Sequence, residues 1–226
     1  MSLYLIINLA VLSMPLLLSF DKKVAFYKSW KSLMSGILIM MLVFIPWDMA
    51  FEYYGLWGFN PNYLSGIKVF NLPLEEVLFF ITVPYACVFI YACLKGYFKI
   101  RLSWHIVRNI GLFYMAILAV LCLVFYDKSY TFITSMGALI CMGYLLCKKE
   151  LDFLQYFYPA YLISLVPFFI VNGLLTGSGI EGEIVWYSPK AIMGFRLFTI
   201  PVEDTIYNLF MLLMCSYVYY WMEKAK

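Results

Sequence analysis

Long apolar runs alternate with short polar interruptions along this chain. Leu3–Phe20 and Met34–Ile45 contain no charged side chain at all. A run of about 18 or more apolar residues reads as a membrane-spanning helix. Seven candidate spans, bounded by charges or turn residues, fall at about 2–20, 31–49, 72–94, 104–126, 130–147, 153–172 and 198–222. The third and seventh spans open near Pro73 and Pro201. Proline suits a first helical turn, where its missing N–H would have had no partner. No segment alternates in the manner of a strand.

Composition agrees with this pattern. The 226 residues are 65% hydrophobic and 13% charged, with a mean hydropathy of +0.86. A soluble domain has about a quarter of its residues charged. The expected fold class is therefore an all-α membrane protein, one transmembrane domain over residues 1–226. The six cysteines lie in or at the ends of apolar segments and form no CxxC or Cys/His cluster, so they read as packing residues. The first span lacks a basic leader and a small-residue cleavage site and reads as a retained helix.

The net charge of +3 says little about partners, and nothing points to nucleic acid. The placement of the cations is more informative. Lys22, Lys23, Lys28, Lys31, Lys95, Lys99, Arg101, Arg108, Lys148, Lys149, Lys224 and Lys226 fall on one side of a seven-span layout. Only Lys68, Lys128, Lys190 and Arg196 fall on the other. The positive-inside rule then places the C-terminus in the cytoplasm and the N-terminus outside, in a multi-pass protein of the plasma membrane. The outer loops between spans 2 and 3 and between spans 6 and 7 are long and rich in Gly, Pro, Trp and Tyr. Loops of that length are seldom mere connectors.

A repeat joins these loops to the spans that follow. Residues 61–76 read "PNYLSGIKVFNLPLEE" and residues 189–204 read "PKAIMGFRLFTIPVED", at an ungapped offset of 128. Pro61, Gly66, Phe70, Pro73 and Glu75 recur as Pro189, Gly194, Phe198, Pro201 and Glu203. Internal similarity at a fixed offset points to duplicated architecture. Both copies cross in the same direction. The expectation is two parallel three-helix repeats, spans 1–3 within unit 1–95 and spans 5–7 within unit 128–226, joined by span 4 in 96–127. Parallel repeats place their sites at the repeat interface.

Each repeat carries an acid pair, Glu75 with Glu76 and Glu203 with Asp204. Acids in a first helical turn favour the positive end of the helix macrodipole, by about 0.3–1 kcal/mol each. A Ser or Thr cap would serve without placing an acid near hydrocarbon, which costs about 2.5–3.5 kcal/mol at the bilayer centre and less near its surface. Two such pairs in equivalent positions therefore point to proton chemistry. Adjacent helical residues point about 100° apart, so one acid of each pair is expected in a cavity. The other is expected to cap or to pair, with Lys68 or Arg196 as the candidate partner. Asp48 in "PWD" and Asn172 in "VNG" are supporting candidates. Asp48 reads equally as an interfacial helix-end residue, and Asn172 as a helix C-cap beside Gly173.

"PWDMAFEYYGLWGFNPNYLSG", "NLPLEEVLFF", "VPFFIVNGLLTG" and "FTIPVEDTIYN" together resemble the integral-membrane lycopene cyclase family. That family occurs as two small three-span subunits in some bacteria, as a fused chain in others, and joined to phytoene synthase in fungi. The resemblance implies a lycopene β-cyclase, an intramolecular lyase that closes the ψ ends of lycopene or a related acyclic carotene to β-ionone rings, giving γ- and β-carotene. It implies no net redox change; the sequence itself shows no metal-ligand cluster, and neither a cofactor nor a metal is expected. On the motif, Glu75 and Glu203 lead as acid/base residues, with Glu76 and Asp204 next. Partners would be the carotene and membrane lipid, with a homo-oligomer or contact with other carotenoid enzymes left open. No GxGxxG follows a strand, unlike the soluble flavin cyclases of the same reaction.

Two other classes are weighed against this. A retinal protein needs a lysine within its last span, and 198–222 has none. A proton-coupled transporter could use the paired outer-side carboxylates, but broken helices at mid-membrane would suit it better than acids at helix starts.

Overall fold

A computed structural model describes residues 2–226. Seven α-helices account for most of the chain: α1 (Leu3–Leu18), α2 (Trp30–Tyr53), α3 (Leu74–Tyr97), α4 (Trp104–Val124), α5 (Ser129–Cys147), α6 (Leu151–Leu175) and α7 (Val202–Lys224). Each lies on one of the seven apolar runs, with ends shifted by a few residues. Five helices, α2 to α6, are long and apolar enough to cross a membrane. The other two differ for separate reasons. At about 1.5 Å per residue, the 16 residues of α1 span only about 24 Å. In α7 every residue from Ile206 to Leu213 is buried. A helix surrounded by protein needs no lipid-facing stripe, so α7 can carry acids, Tyr and Asn. At the other extreme, α4 buries only Val107, Gly111, Leu118 and Cys122, the stripe it turns inward.

The two long loops, between α2 and α3 and between α6 and α7, contain six strands of two or three residues, which the sequence pattern did not suggest. They are β1 (Trp57–Phe59), β2 (Lys68–Val69), β3 (Leu72–Pro73), β4 (Val185–Tyr187), β5 (Arg196–Leu197) and β6 (Ile200–Pro201). Such lengths are too short for alternation to register. The β2–β3 and β5–β6 hairpins are equivalent in the repeat, and each continues into a helix. Leu74 N–H bonds to Ile67 C=O at 2.9 Å, and Val202 N–H to Phe195 C=O at 3.1 Å. Gly66 and Gly194 adopt φ of +84° and +88°, a left-handed conformation that glycine tolerates without steric cost. That accounts for their identity across the repeat.

Strands β1 and β4 pair antiparallel with Trp57 opposite Tyr187, Gly58 opposite Trp186 and Phe59 opposite Val185. Gly58 and Trp186 are themselves 128 residues apart. Equivalent strands thus pair about a local two-fold through that residue pair. The flanking bonds obey the same symmetry: Asn60 N–H to Ile184 C=O at 2.8 Å, and Ser188 N–H to Leu56 C=O at 2.9 Å. A two-fold contact of this kind presents the same patch from both sides. The indole of Trp186 lies over Gly58, where a Cβ would collide with it.

Helix packing interleaves the two halves. Helix α1 lies on α3 and α5 on α7, but α2 packs most extensively on α7 and α6 on α3. Gly36 allows the α2–α7 approach, since a Cβ there would stand 2.6 Å from the backbone oxygen of Cys215. Small residues let membrane helices approach closely in this way. A backbone carbonyl cannot rotate aside as a side chain can. Gly36→Val is therefore expected to destabilise the fold by about 1–3 kcal/mol. A lowered thermal midpoint of the detergent-solubilised protein would show it, and an unchanged midpoint would mean that α2 and α7 separate readily.

Candidate active site

The hairpins set the rotation of α3 and α7, and through it the direction of each acid. Glu75 is fully buried. Its Oε1 accepts hydrogen bonds at 2.6 Å from Ser2 Oγ and from Ser65 N–H, ten residues upstream. Glu203 is also fully buried, and its Oε1 accepts at 2.6 Å from Thr131 Oγ1 and from Met193 N–H. Ser65 and Met193 are equivalent in the repeat. Each first acid thus ties the loop before its own hairpin to the start of a neighbouring helix, α1 or α5. The second oxygen of each, Oε2, is buried without a hydrogen-bond partner.

One residue on, the second acids turn elsewhere. Glu76 Oε2 accepts from Tyr4 Oη at 2.6 Å. Asp204 accepts three bonds: Oδ1 from Tyr130 Oη at 2.8 Å, and Oδ2 from Asn172 Nδ2 at 2.6 Å and Tyr187 Oη at 2.9 Å. Asp48, on α2, accepts from Tyr207 Oη on α7 at 2.8 Å. Glu76, Asp204, Asp48 and Asn172 all line one cavity of about 50 Å³, together with Tyr4, Trp57, Tyr130, Tyr187, Tyr207 and Asn208. Both halves of the chain contribute: Asp48 and Glu76 come from the N-terminal half, Asp204 and Asn172 from the C-terminal half.

Four predicted residues thus meet in one place, and four do not. Glu75, Glu203, Lys68 and Arg196 are absent from the cavity wall. Lys68 and Arg196 do not pair with the acids, because they sit on the outward hairpins rather than over the buried helix starts. Among the described residues the one salt bridge joins Lys226 to Glu223. Arg196 donates instead to the Thr199 carbonyl and lies 5.9 Å from the ring centre of Tyr187. The alternative readings of the supporting residues also give way. Asp48 is 1% exposed and lies inside α2, which runs on to Tyr53, so it is not the end of that helix. Asn172 does not cap α6, which runs on to Leu175 with Thr176 as its C-cap.

Sequence reasoning missed the tyrosines. Their hydroxyls are spent on the carboxylates, which leaves the ring faces toward the cavity and each other. Trp57 and Tyr130 stand 5.1 Å apart edge to face, Tyr130 and Tyr187 stack at 5.8 Å, and Tyr130 and Tyr207 lie 5.9 Å apart. Ring faces of this kind attract a cation. One signal was available: Asp204, Tyr207, Asn208 and Met211 have the i, i+3, i+4, i+7 spacing of one helix face, and all four line the cavity. Tyr4, Tyr130 and Tyr187 lie 72, 74 and 17 residues from the cavity acids they bond, too far for spacing to point to them.

The site can hold or move protons among three buried carboxyls next to aromatic faces. A family model described as lycopene cyclase matches residues 1–94 and 127–222, the two stretches on either side of α4. A 65-residue segment is 31% identical to the bifunctional lycopene cyclase/phytoene synthase of Aspergillus oryzae, covering 29% of this chain and 11% of that protein. The match thus spans only a small part of that larger relative. No solved structure matches the chain. The family match extends over most of the sequence and includes both acid pairs and the helices that surround the cavity, so the chain belongs to the lycopene cyclase family.

Proposed function

We propose that the protein is a lycopene β-cyclase that closes the ψ ends of lycopene, or a related acyclic carotene, to β-ionone rings. The observation that carries this reading is the convergence of Glu76 and Asp204, equivalent in the repeat, on one aromatic-lined cavity. Cyclisation is an isomerisation. An acid adds a proton to the terminal double bond, leaving a tertiary cation. The next suitable double bond attacks that cation and closes the six-membered ring, which moves the positive charge into the ring. A base then removes a ring proton to leave the β-ionone double bond.

The hydrogen bonds support a division of roles. A carboxylate is an acceptor only. Asp204 accepts three bonds and suits the base. Glu76 meets a single donor, at Oε2, which leaves Oε1 to present a proton. Asp48, held by Tyr207, is a second reservoir. The faces of Trp57, Tyr130, Tyr187 and Tyr207 would stabilise the intermediate cation. Glu75 and Glu203 serve in this reading as loop anchors. A polyene substrate is itself soluble in lipid. The half-buried Phe79 and Phe168 give the cavity an edge at the protein surface through which a carotene end could pass.

In this reading all seven helices span the plasma membrane, with the N-terminus outside and the lysine-rich loops in the cytoplasm. Residues 1–95 and 128–226 act as two parallel repeats joined by the span in 96–127. The site then lies toward the outer leaflet. A proton-coupled transporter is disfavoured by the family match and by acids placed at helix starts rather than at mid-membrane breaks.

Expression in cells that accumulate lycopene tests the proposal. Chromatography should show γ- and β-carotene at the expense of the red pigment. A strain that stays red while the protein is present in its membranes would overturn it.

A further inference from the structure

Asn208 departs from the pattern of the cavity. It is 2% exposed, yet neither Nδ2 nor Oδ1 has a hydrogen-bond partner. Every carboxyl on the cavity wall is hydrogen-bonded. An unpaired buried amide is costly, and a hydrocarbon substrate offers it nothing. Asn208 is also an asymmetry in the repeat, because the equivalent position 128 residues earlier is Phe80, fully buried. Apolar packing would therefore serve at this point in the helix. Trp57, also on the cavity wall, carries a second orphan: its Nε1 is buried and unpartnered. A cavity of about 50 Å³ with several polar partners is suited to water.

We propose that Asn208 is a positioning residue that holds a water molecule in the cavity, and that this water returns the proton from base to acid after each ring closure. The inference rests on the cyclase reading above. One closure leaves the acid without its proton and the base with one more. The enzyme must undo this before it can close a second ring. A water between them can accept the proton from the base while giving one to the acid, and is not consumed. Asn208 suits the task because its amide both donates and accepts. Its position one turn from Asp204 on α7 puts it beside the base. Trp57 supplies a further donor.

The test separates the first turnover from later ones. The intact protein, reconstituted in lipid vesicles, is mixed with lycopene, and rings formed are counted against time. In Asn208→Leu, about the same size but without the amide, the first ring per protein molecule should form at the wild-type rate. Later turnovers should slow by on the order of tenfold, the weight of one hydrogen bond in the relay. Asn208→Ser, which can still bind water, should recover most of the later rate. A structural role predicts something else, equal slowing of the first and later rings. That result, or no slowing in either phase, would overturn the proposal. If Asn208→Leu does not accumulate, Asn208→Val carries the same test, since it also removes the amide with a smaller apolar side chain. Absence of any ring from the wild-type protein would instead refute the cyclase reading itself.

Discussion

Glu76→Gln is expected to reduce ring formation by about 10²–10⁴-fold, the range set by loss of a positioned general acid, while the protein still accumulates in the membrane. Glu76 has one hydrogen bond to lose, from Tyr4, and a glutamine carbonyl can still accept it. The fold should thus tolerate the change, and lycopene should persist in a host that otherwise makes cyclic carotenes. Asp204→Asn should remove activity to a similar extent for a different reason. Tyr130, Tyr187 and Asn172 all donate to this carboxylate, and an amide turns one acceptor into a donor that must face a donor. That variant should therefore also melt earlier in detergent, whereas Glu76→Gln should not. Pigment chromatography and thermal midpoints of both variants decide the matter. Wild-type levels of ring formation in both would mean that the cavity acids do not handle the proton.

Glu75→Leu and Glu203→Leu should give the opposite profile, a large loss of stability ahead of any effect on chemistry. Each removes the acceptor of two hydrogen bonds: from Ser2 and Ser65 in the first case, from Thr131 and Met193 in the second. Leaving a donor without its acceptor costs about 1–3 kcal/mol, so losing two should destabilise at least as much as Gly36→Val. Freed loops should also become accessible, and limited proteolysis should cut within 54–73 or 176–201 where the parent is resistant. The glutamine variants separate anchoring from proton transfer. Glu75→Gln and Glu203→Gln keep an acceptor oxygen and should retain both the loop geometry and most of the ring-forming activity. The motif alone leads to the reverse expectation, that these two changes abolish ring formation. Loss of activity in Glu75→Gln with an unaltered thermal midpoint would return the first acid of each pair to the chemistry.

This contrast also shows what could be read without coordinates. The helices were legible because apolarity over some twenty residues is a property of each segment by itself. The exceptions, α1 and α7, were still recognisable as apolar runs, although one is short and the other is enclosed by protein. The strands of the two long loops were invisible. Two or three residues carry no period, and β1 and β4 exist only because they meet across the two-fold. Lys68 and Arg196 were natural partners for the acids on charge and proximity in sequence. The hairpins instead leave Lys68 exposed and hold Arg196 on the Thr199 carbonyl and over the Tyr187 ring, away from the acids.

By itself, then, the sequence determined the seven apolar runs, the motif repeated at an offset of 128, and the acid pair in each copy of that motif. These follow from local hydrophobicity and from identity at a fixed offset, neither of which needs a third dimension. Only the tertiary structure decided which acid of each pair reaches the cavity. Neighbouring helical residues diverge by about 100°, so the answer depends on how far each helix is rotated about its axis. The hairpins and the interleaved packing of α2 on α7 and α6 on α3 set that rotation. The same packing brings Tyr207 to Asp48 across 159 residues and Tyr130 to Asp204 across 74, partnerships that no spacing along the chain could reveal.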